Sequence, residues 1–191
     1  IHSETKKKSR INCQKIQRSS SFIGLGLGNE VELHVPEELL ETIWTEINSL
    51  AKLVKSLDIK HPVMTAVAGF DAQKINDVKR FYPECDILGV NAYGFAPNVG
   101  ELLLEYGWKK PYMITEFGPK GPWEVDHKSD WGAAIEETSH EKAKRYLKAY
   151  SSAMNESPRY CLGVFPFYWS SKQETTTTWF GMFLKSGARL E

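Results

Sequence analysis

An excess of charge of either sign is the first thing this sequence lacks. Its 191 residues hold 24 Lys and Arg against 24 Asp and Glu, so no overall field draws it to nucleic acid or to an anionic membrane surface, and a neutral partner fits better. Long apolar runs are missing as well. Nothing approaches the ~20 residues needed to span a bilayer, and the opening IHSETKKKSR has no apolar core of a signal peptide. Cysteine is scarce: Cys13, Cys85 and Cys161 are odd in number and far apart, which matches neither a disulfide framework nor the C-x-x-C pairs of a zinc site, and they read as separate thiols. The five histidines, His2, His34, His61, His127 and His140, show no H-E-x-x-H or other metal spacing. No serine sits in a G-x-S-x-G elbow. The glycines of Gly24-Leu25-Gly26-Leu27-Gly28 fall within or at the end of an apolar run and form no G-x-G-x-x-G. Metal hydrolysis, serine hydrolysis and dinucleotide binding drop out, and no cofactor is expected.

What is present is enough apolar material for a core, 41% hydrophobic and 12% aromatic residues, and a single domain over residues 1–191 is the natural reading. Five runs have strand length and β-branched or aromatic content: FIGLGLGN (22–29), PVMTAVAG (62–69), ILGVNAYG (87–94), YMITEFG (112–118) and LGVFPFYWS (162–170). Helical periodicity fills the gaps. It is clearest over 36–57, where Leu39, Leu40, Ile43, Ile47, Leu50, Leu53, Val54 and Leu57 recur at i, i+3, i+4 and i+7. Pro36 suits the first turn there, with Glu37 and Glu38 at the positive end of the dipole. Further helices are predicted at 71–81, 98–107 and 139–156, the last opened by Thr138-Ser139 with Glu141 following. Alternation of buried strands and helices implies an α/β fold with parallel strands. The basic segment 1–21, with Lys6, Lys7, Lys8, Arg10, Lys15 and Arg18, lacks interleaved aromatics and reads as the solvated face of a helix rather than a nucleic-acid patch.

In parallel α/β folds the reactive side chains gather where strands end and loops converge. Two of the five strands end in glutamate: FIGLGLGN runs into Glu30 and YMIT runs into Glu116. A strand that is apolar up to an ionisable residue and then breaks presents that residue. The competing reading, in which either acid merely caps or pairs near the next helix, stays open for each taken alone. Together, a proton donor and an attacking carboxylate are what glycoside hydrolysis requires. Asn29 is placed to donate to a sugar hydroxyl, and Tyr93 to donate to a carboxylate. Aromatics crowd the last two loops, and aromatic faces stack on the apolar faces of sugar rings. Trp169 is the leading platform; Trp123, Trp131 and Trp179 could serve a subsite or the core, and Trp44 and Trp108 read as structural.

GLGNE (26–30) and ITEFG (114–118) resemble the acid/base and nucleophile motifs of the large clan of retaining glycosidases with (β/α)₈ TIM barrels, in which Asn-Glu ends the fourth strand and Glu the seventh. GVNAYG is similar to that clan's sixth strand and FPFYWSS to its eighth. Within the clan, the resemblance is to family-two-like barrels typified by β-galactosidase and β-glucuronidase relatives. The resemblance implies that residues 22–191 form barrel strands four to eight, an incomplete barrel, since a complete one usually takes ~250 residues. It further implies Glu30 as acid/base, Glu116 as nucleophile, Asn29 as a contact to the sugar 2-hydroxyl, Tyr93 as the partner of Glu116 and Trp169 as the stacking platform, with Trp123 added to the substrate-binding set. The implied activity is retaining hydrolysis of β-linked O-glycosidic bonds, with a transglycosylase, a non-catalytic carbohydrate-binding fragment or a degenerate barrel as alternatives. A carbohydrate is then the partner, with no nucleic acid and no membrane. An extracellular or periplasmic setting follows from family habit alone, and this stretch by itself is expected to be poorly soluble or inactive.

Overall fold

The computed structural model describes residues 24–156 and 159–190. The basic segment 1–21, Cys13 and the first two residues of the first predicted strand lie outside the described residues. Five parallel strands alternate with helices: β1 (Leu25–Asn29), β2 (Val63–Ala68), β3 (Ile87–Asn91), β4 (Tyr112–Phe117) and β5 (Cys161–Pro166), with α1 (Glu37–Leu57), α2 (Ala72–Phe81), α3 (Val99–Glu105) and α4 (Ser139–Ser151). Strand order follows chain order, as expected when each crossover returns beside the strand before it. The chain divides into two compact units, one holding residues up to Gly89 together with Tyr106–Pro111, the other Val90–Glu105 and the residues from Tyr112 onward.

In the first unit β1 pairs with β2, Leu25 opposite Val63 and Asn29 opposite Ala66, with a register shift in between. Val63, Thr65, Ala66 and Val67 are buried, and Thr65 satisfies its hydroxyl by donating to the Gly28 carbonyl at 3.2 Å. Helix α1 covers this layer with Trp44, Ile47, Asn48, Ala51 and Val54. That stripe is narrower than the sequence periodicity predicts: Leu39 is 49% exposed, because the spacing 44, 47, 51, 54 sets the face and Leu39 lies off it. Pro36 also sits one place earlier than predicted, in extended conformation at the N-cap. Asn48 is buried yet satisfied, its side-chain oxygen accepting from the Glu84 amide at 3.1 Å. Asp71 caps α2 by accepting from Lys74 N–H at 2.8 Å, and Ile75 and Val78 fill the core. Cys85 is buried, and burial pushes its thiol up to about 12, so it behaves as a small apolar group.

In the second unit β4 pairs with β5, Tyr112 opposite Cys161 and Phe117 opposite Pro166, with two register shifts. The predicted helix at 98–107 is shorter, Val99–Glu105, and is preceded by a 3₁₀ turn at Ala96–Asn98 in which Pro97 occupies a first-turn position. Helix α4 begins at the predicted place: Thr138 and Glu141 form a reciprocal capping box, Thr138 N–H to Glu141 at 2.8 Å and Glu141 N–H to Thr138 Oγ1 at 3.3 Å. It then widens into a π turn over Ser152–Glu156. Glu136 accepts from Lys142 and from the Thr176 and Thr178 hydroxyls, which ties the threonine run 175–178 to α4. Burial alone would raise the Glu136 carboxyl, but these hydrogen bonds and the Lys142 charge hold it below the usual carboxylate range.

Candidate active site

Asn29 and Glu30 lie in the first unit, where β1 ends. The backbone turns sharply there: Glu30 has φ +50°, its N–H donates to the Ala66 carbonyl at 2.8 Å, and its carbonyl accepts from Leu33 N–H at 3.0 Å. A side chain at Gly28 would place its Cβ 2.5 Å from Val31 Cγ1, so Val31 could return this closely only by shifting its own side chain. Two residues on, Glu32 is buried and accepts from Ala68 N–H at 2.8 Å and from Lys74 Nζ at 3.0 Å. The same ammonium also donates to the carbonyls of Ala68 and Gly69, at 2.9 and 3.2 Å. The loop that carries Glu30 is thereby pinned to the end of β2 through an ion pair that burial strengthens.

Tyr93, Glu116, Trp123 and Trp169 lie in the second unit. Glu116 is the fifth residue of β4, half-buried, between buried Ile114 and Phe117. The Tyr93 hydroxyl donates to Glu116 Oε2 at 2.6 Å, a length typical of a charge-assisted O–H···O bond. One residue earlier on β4, the Thr115 hydroxyl donates to Asn91 Oδ1 at 2.7 Å, and Ala92 N–H donates to the Glu116 carbonyl at 2.8 Å. The ends of β3 and β4 are therefore locked in register around this pair.

Three rings surround Tyr93: Trp123 edge-on at 5.5 Å, Phe167 edge-on at 6.0 Å and Phe180 tilted at 5.2 Å. Phe167 is held from two sides, its N–H donating to the Phe117 carbonyl at 2.8 Å and its carbonyl accepting from the Tyr146 hydroxyl at 2.6 Å. Lys172 Nζ lies 4.7 Å from the centre of the Phe167 ring and pairs with Glu174 at 2.8 Å. Trp123 leaves 67% of its surface exposed. Trp169 is 70% exposed but stands elsewhere, edge-on to Phe183 at 5.3 Å, where it lines a cavity of about 460 Å³ with Tyr146, Met182 and Arg189. Of the tryptophans left open by sequence, Trp179 is buried, its indole N–H donating to the Lys120 carbonyl at 2.9 Å, while Trp131 is exposed. Trp44 and Trp108 are buried, as expected of structural residues.

Sequence reasoning missed Phe167 and Glu124, and it placed Phe180 only among the aromatics that crowd the last loops, without its contact to Tyr93. The two phenylalanines sit in aromatic-rich runs where no local pattern separates the ring that meets Tyr93 from its neighbours. Glu124 accepts from two backbone amides, Gly94 N–H at 3.0 Å and Gly121 N–H at 2.8 Å; the only sequence trace is a carboxylate three residues after Gly121. Among the described residues, no three His, Cys, Asp or Glu side chains gather into a group that could hold a metal ion, and no helix is long and apolar enough to cross a membrane.

No protein-family model matches the sequence, and no curated protein matches it. Solved structures do. The GH53 catalytic domain of Ignisphaera aggregans aligns with a TM-score of 0.67 at 15% identity, over 98% of this chain and 62% of that one. Bacteroides uniformis β-glucuronidase 2, covalently bound to cyclophellitol-6-carboxylate aziridine, aligns at 0.65 and 16% identity, over 96% and 24% respectively. A putative β-galactosidase from Bacteroides fragilis aligns at 0.60 and 17%, over 97% and 29%. This chain spans less than two thirds of each. At such identities the likeness shows the fold alone, an α/β architecture of five parallel strands with intervening helices that matches part of a TIM barrel.

Proposed function

We propose that this chain supplies strands four to eight of a retaining β-glycoside hydrolase, with Glu116 as nucleophile and Glu30 as acid/base. The observation that carries this reading is the 2.6 Å hydrogen bond from Tyr93 to Glu116 at the end of a buried strand, walled by aromatic rings. A phenol donating to one carboxylate oxygen holds that carboxylate in place and leaves the other oxygen to attack. In the first step a Glu116 oxygen bonds to the anomeric carbon as the glycosidic C–O bond breaks, and the leaving oxygen takes the proton of Glu30. In the second, Glu30 removes a proton from water or an acceptor hydroxyl, whose oxygen bonds to the anomeric carbon and releases the Glu116 carboxylate. Asn29, exposed beside Glu30, is the proposed contact to the sugar 2-hydroxyl. Trp123, exposed and edge-on to Tyr93 at 5.5 Å, is the proposed wall beside the Tyr93–Glu116 pair, and Trp169 is the proposed platform for a further sugar. Carbohydrate is the proposed partner, and the neighbours named for β-glucuronidase and β-galactosidase activity support a β-linked substrate.

The test is chemical rescue in a protein that contains the whole barrel, assayed on an activated aryl β-glycoside. Glu116→Gly should lower turnover by about 10⁴-fold or more, and azide should restore it, displacing the phenolate with inversion to give the α-glycosyl azide. Glu30→Ala should instead yield the β-azide, because the glycosyl-enzyme still forms. An absence of turnover in the unsubstituted protein, with no rescue in either variant, would establish the non-catalytic carbohydrate-binding alternative. A crystallographic carboxyl separation near ~5–5.5 Å agrees with retention, whereas ~6.5–9.5 Å indicates inversion.

A further inference from the structure

The Tyr93–Glu116 hydrogen bond depends on where the Tyr93 ring is held, and Tyr93 stands two residues beyond the end of β3 at Asn91. Phe167 and Phe180 pack against the ring, and a further constraint comes from the loop after β4. Glu124, in the 3₁₀ turn Pro122–Glu124 that follows β4, accepts from Gly94 N–H with both oxygens, at 3.1 and 3.0 Å, and from Gly121 N–H at 2.8 Å. Gly94 is the residue after Tyr93, and Trp123, the residue before Glu124, stands edge-on to the Tyr93 ring at 5.5 Å. One carboxylate thus holds the backbone beside the phenol and carries the indole that meets it. Both glycines leave room for this arrangement: a Cβ on Gly94 would lie 3.1 Å from Glu124 Oε1 and press the carboxylate back by a few tenths of an ångström, and one on Gly121 would lie 2.3 Å from the Trp123 ring and displace it.

We infer that Glu124 is a positioning residue, which staples the loop after β4 to the loop after β3 and so fixes the Tyr93 hydroxyl on Glu116. Oε2 accepts from both amides while Oε1 also faces Gly94 N–H, so in Glu124→Gln the carbonyl oxygen can take the Oε2 place and keep both bonds, but the new NH₂ at the Oε1 place faces the Gly94 N–H and weakens that contact. The inference rests on the proposed role of Glu116 for its functional meaning, but its geometry can be tested without turnover.

The measurement is the ¹³Cζ resonance of Tyr93 in the full chain, labelled at tyrosine, with Glu116→Gln as the reference for a phenol that has lost its carboxylate acceptor. Glu124→Ala should move this resonance at least halfway from the wild-type position toward that of Glu116→Gln, and Glu124→Gln should move it by a smaller amount in the same direction. A general packing defect would lower the melting temperature and leave the resonance in place. If Glu124→Ala does not fold, the shift in Glu124→Gln decides alone. A wild-type Tyr93 resonance in a folded Glu124 variant overturns the inference, as does a Glu116→Gln protein whose Tyr93 resonance is unchanged. Absent glycosidase turnover in the barrel-containing protein would overturn the role of Glu116 while leaving the resonance shift intact, so the two failures are distinct.

Discussion

In each unit a carboxylate close to a candidate catalytic glutamate anchors a loop to the backbone of a strand end, but the two are compensated differently. Glu32, two residues after Glu30, has a side chain only 3% exposed and relies on the Lys74 ammonium as well as the Ala68 amide. Glu124, eight residues after Glu116, is half-buried and accepts from backbone amides beside an aromatic cage. The two cores do not account for this, since both bury large aromatics, Trp44, Tyr82 and Trp108 in the first unit and Trp179 and Phe180 in the second; the difference lies in how deeply each carboxylate is buried. A charge that is almost fully buried has to be met by an opposite charge. A half-exposed one needs only well-aimed dipoles. The loop of Glu30 is therefore the one more sensitive to loss of a single partner.

The sharpest comparison is between cores. Trp44→Ala in the first unit and Trp179→Ala in the second should each cost about 3–5 kcal/mol, read from urea unfolding, since both are 1% exposed. A cost below about 1 kcal/mol for either would mean that its unit is not packed as described. Next, Lys74→Met leaves Glu32 without its counter-charge and should cost about 2–3 kcal/mol, below the full penalty of a broken buried pair because Lys74 itself is 25% exposed. If Lys74→Met were neutral, the ionic anchoring of the first loop would be refuted.

A smaller, pH-dependent effect belongs to the second unit. The carboxyl of Glu136 is lowered in the folded state, so between its folded and unfolded pKa the unfolded chain binds more protons and stability rises with pH. The contribution is fully present above the unfolded value near 4.5 and is lost as pH falls through the folded value. Glu136→Gln should accordingly be less stable than wild type at pH 7, with a difference that shrinks below pH 4.5; a difference independent of pH would contradict it. Smallest in stability is Trp123→Ala, within about 0.5 kcal/mol for so exposed a ring. Its effect should appear instead as weaker sugar binding, about tenfold, in a titration with a β-linked oligosaccharide. Unchanged affinity would remove Trp123 from the binding surface.

Much of the fold was legible because periodicity and end signals are local. The strands at 62–69 and 112–118 appear as Val63–Ala68 and Tyr112–Phe117, and Thr138 with Glu141 marks the start of α4 in sequence and structure alike. Of the helix predicted at 98–107, one residue is lost at the start, where Pro97 sits in a 3₁₀ turn, and two at the end, where Gly107 reverses the chain at φ +76°. At the candidate site, Tyr93 beside Glu116 was anticipated, and the 2.6 Å contact places them together. Phe167 was not, because Phe167 and Trp169 share one aromatic run and only packing decides that the first faces Tyr93 while the second faces Phe183.

By itself the sequence determined the alternation of strands and helices, the two strands that end in glutamate and the absence of metal-binding spacing, because each follows from hydrogen-bond periodicity, chain reversal and residue chemistry acting over a few neighbours. Tertiary structure decided which tryptophans are core and which are surface, and which carboxylates serve as anchors. Burial and the meeting of Glu124 with Gly94, or of Glu32 with Lys74, depend on segments 30 and 42 positions apart, a separation over which no local pattern in the chain carries information.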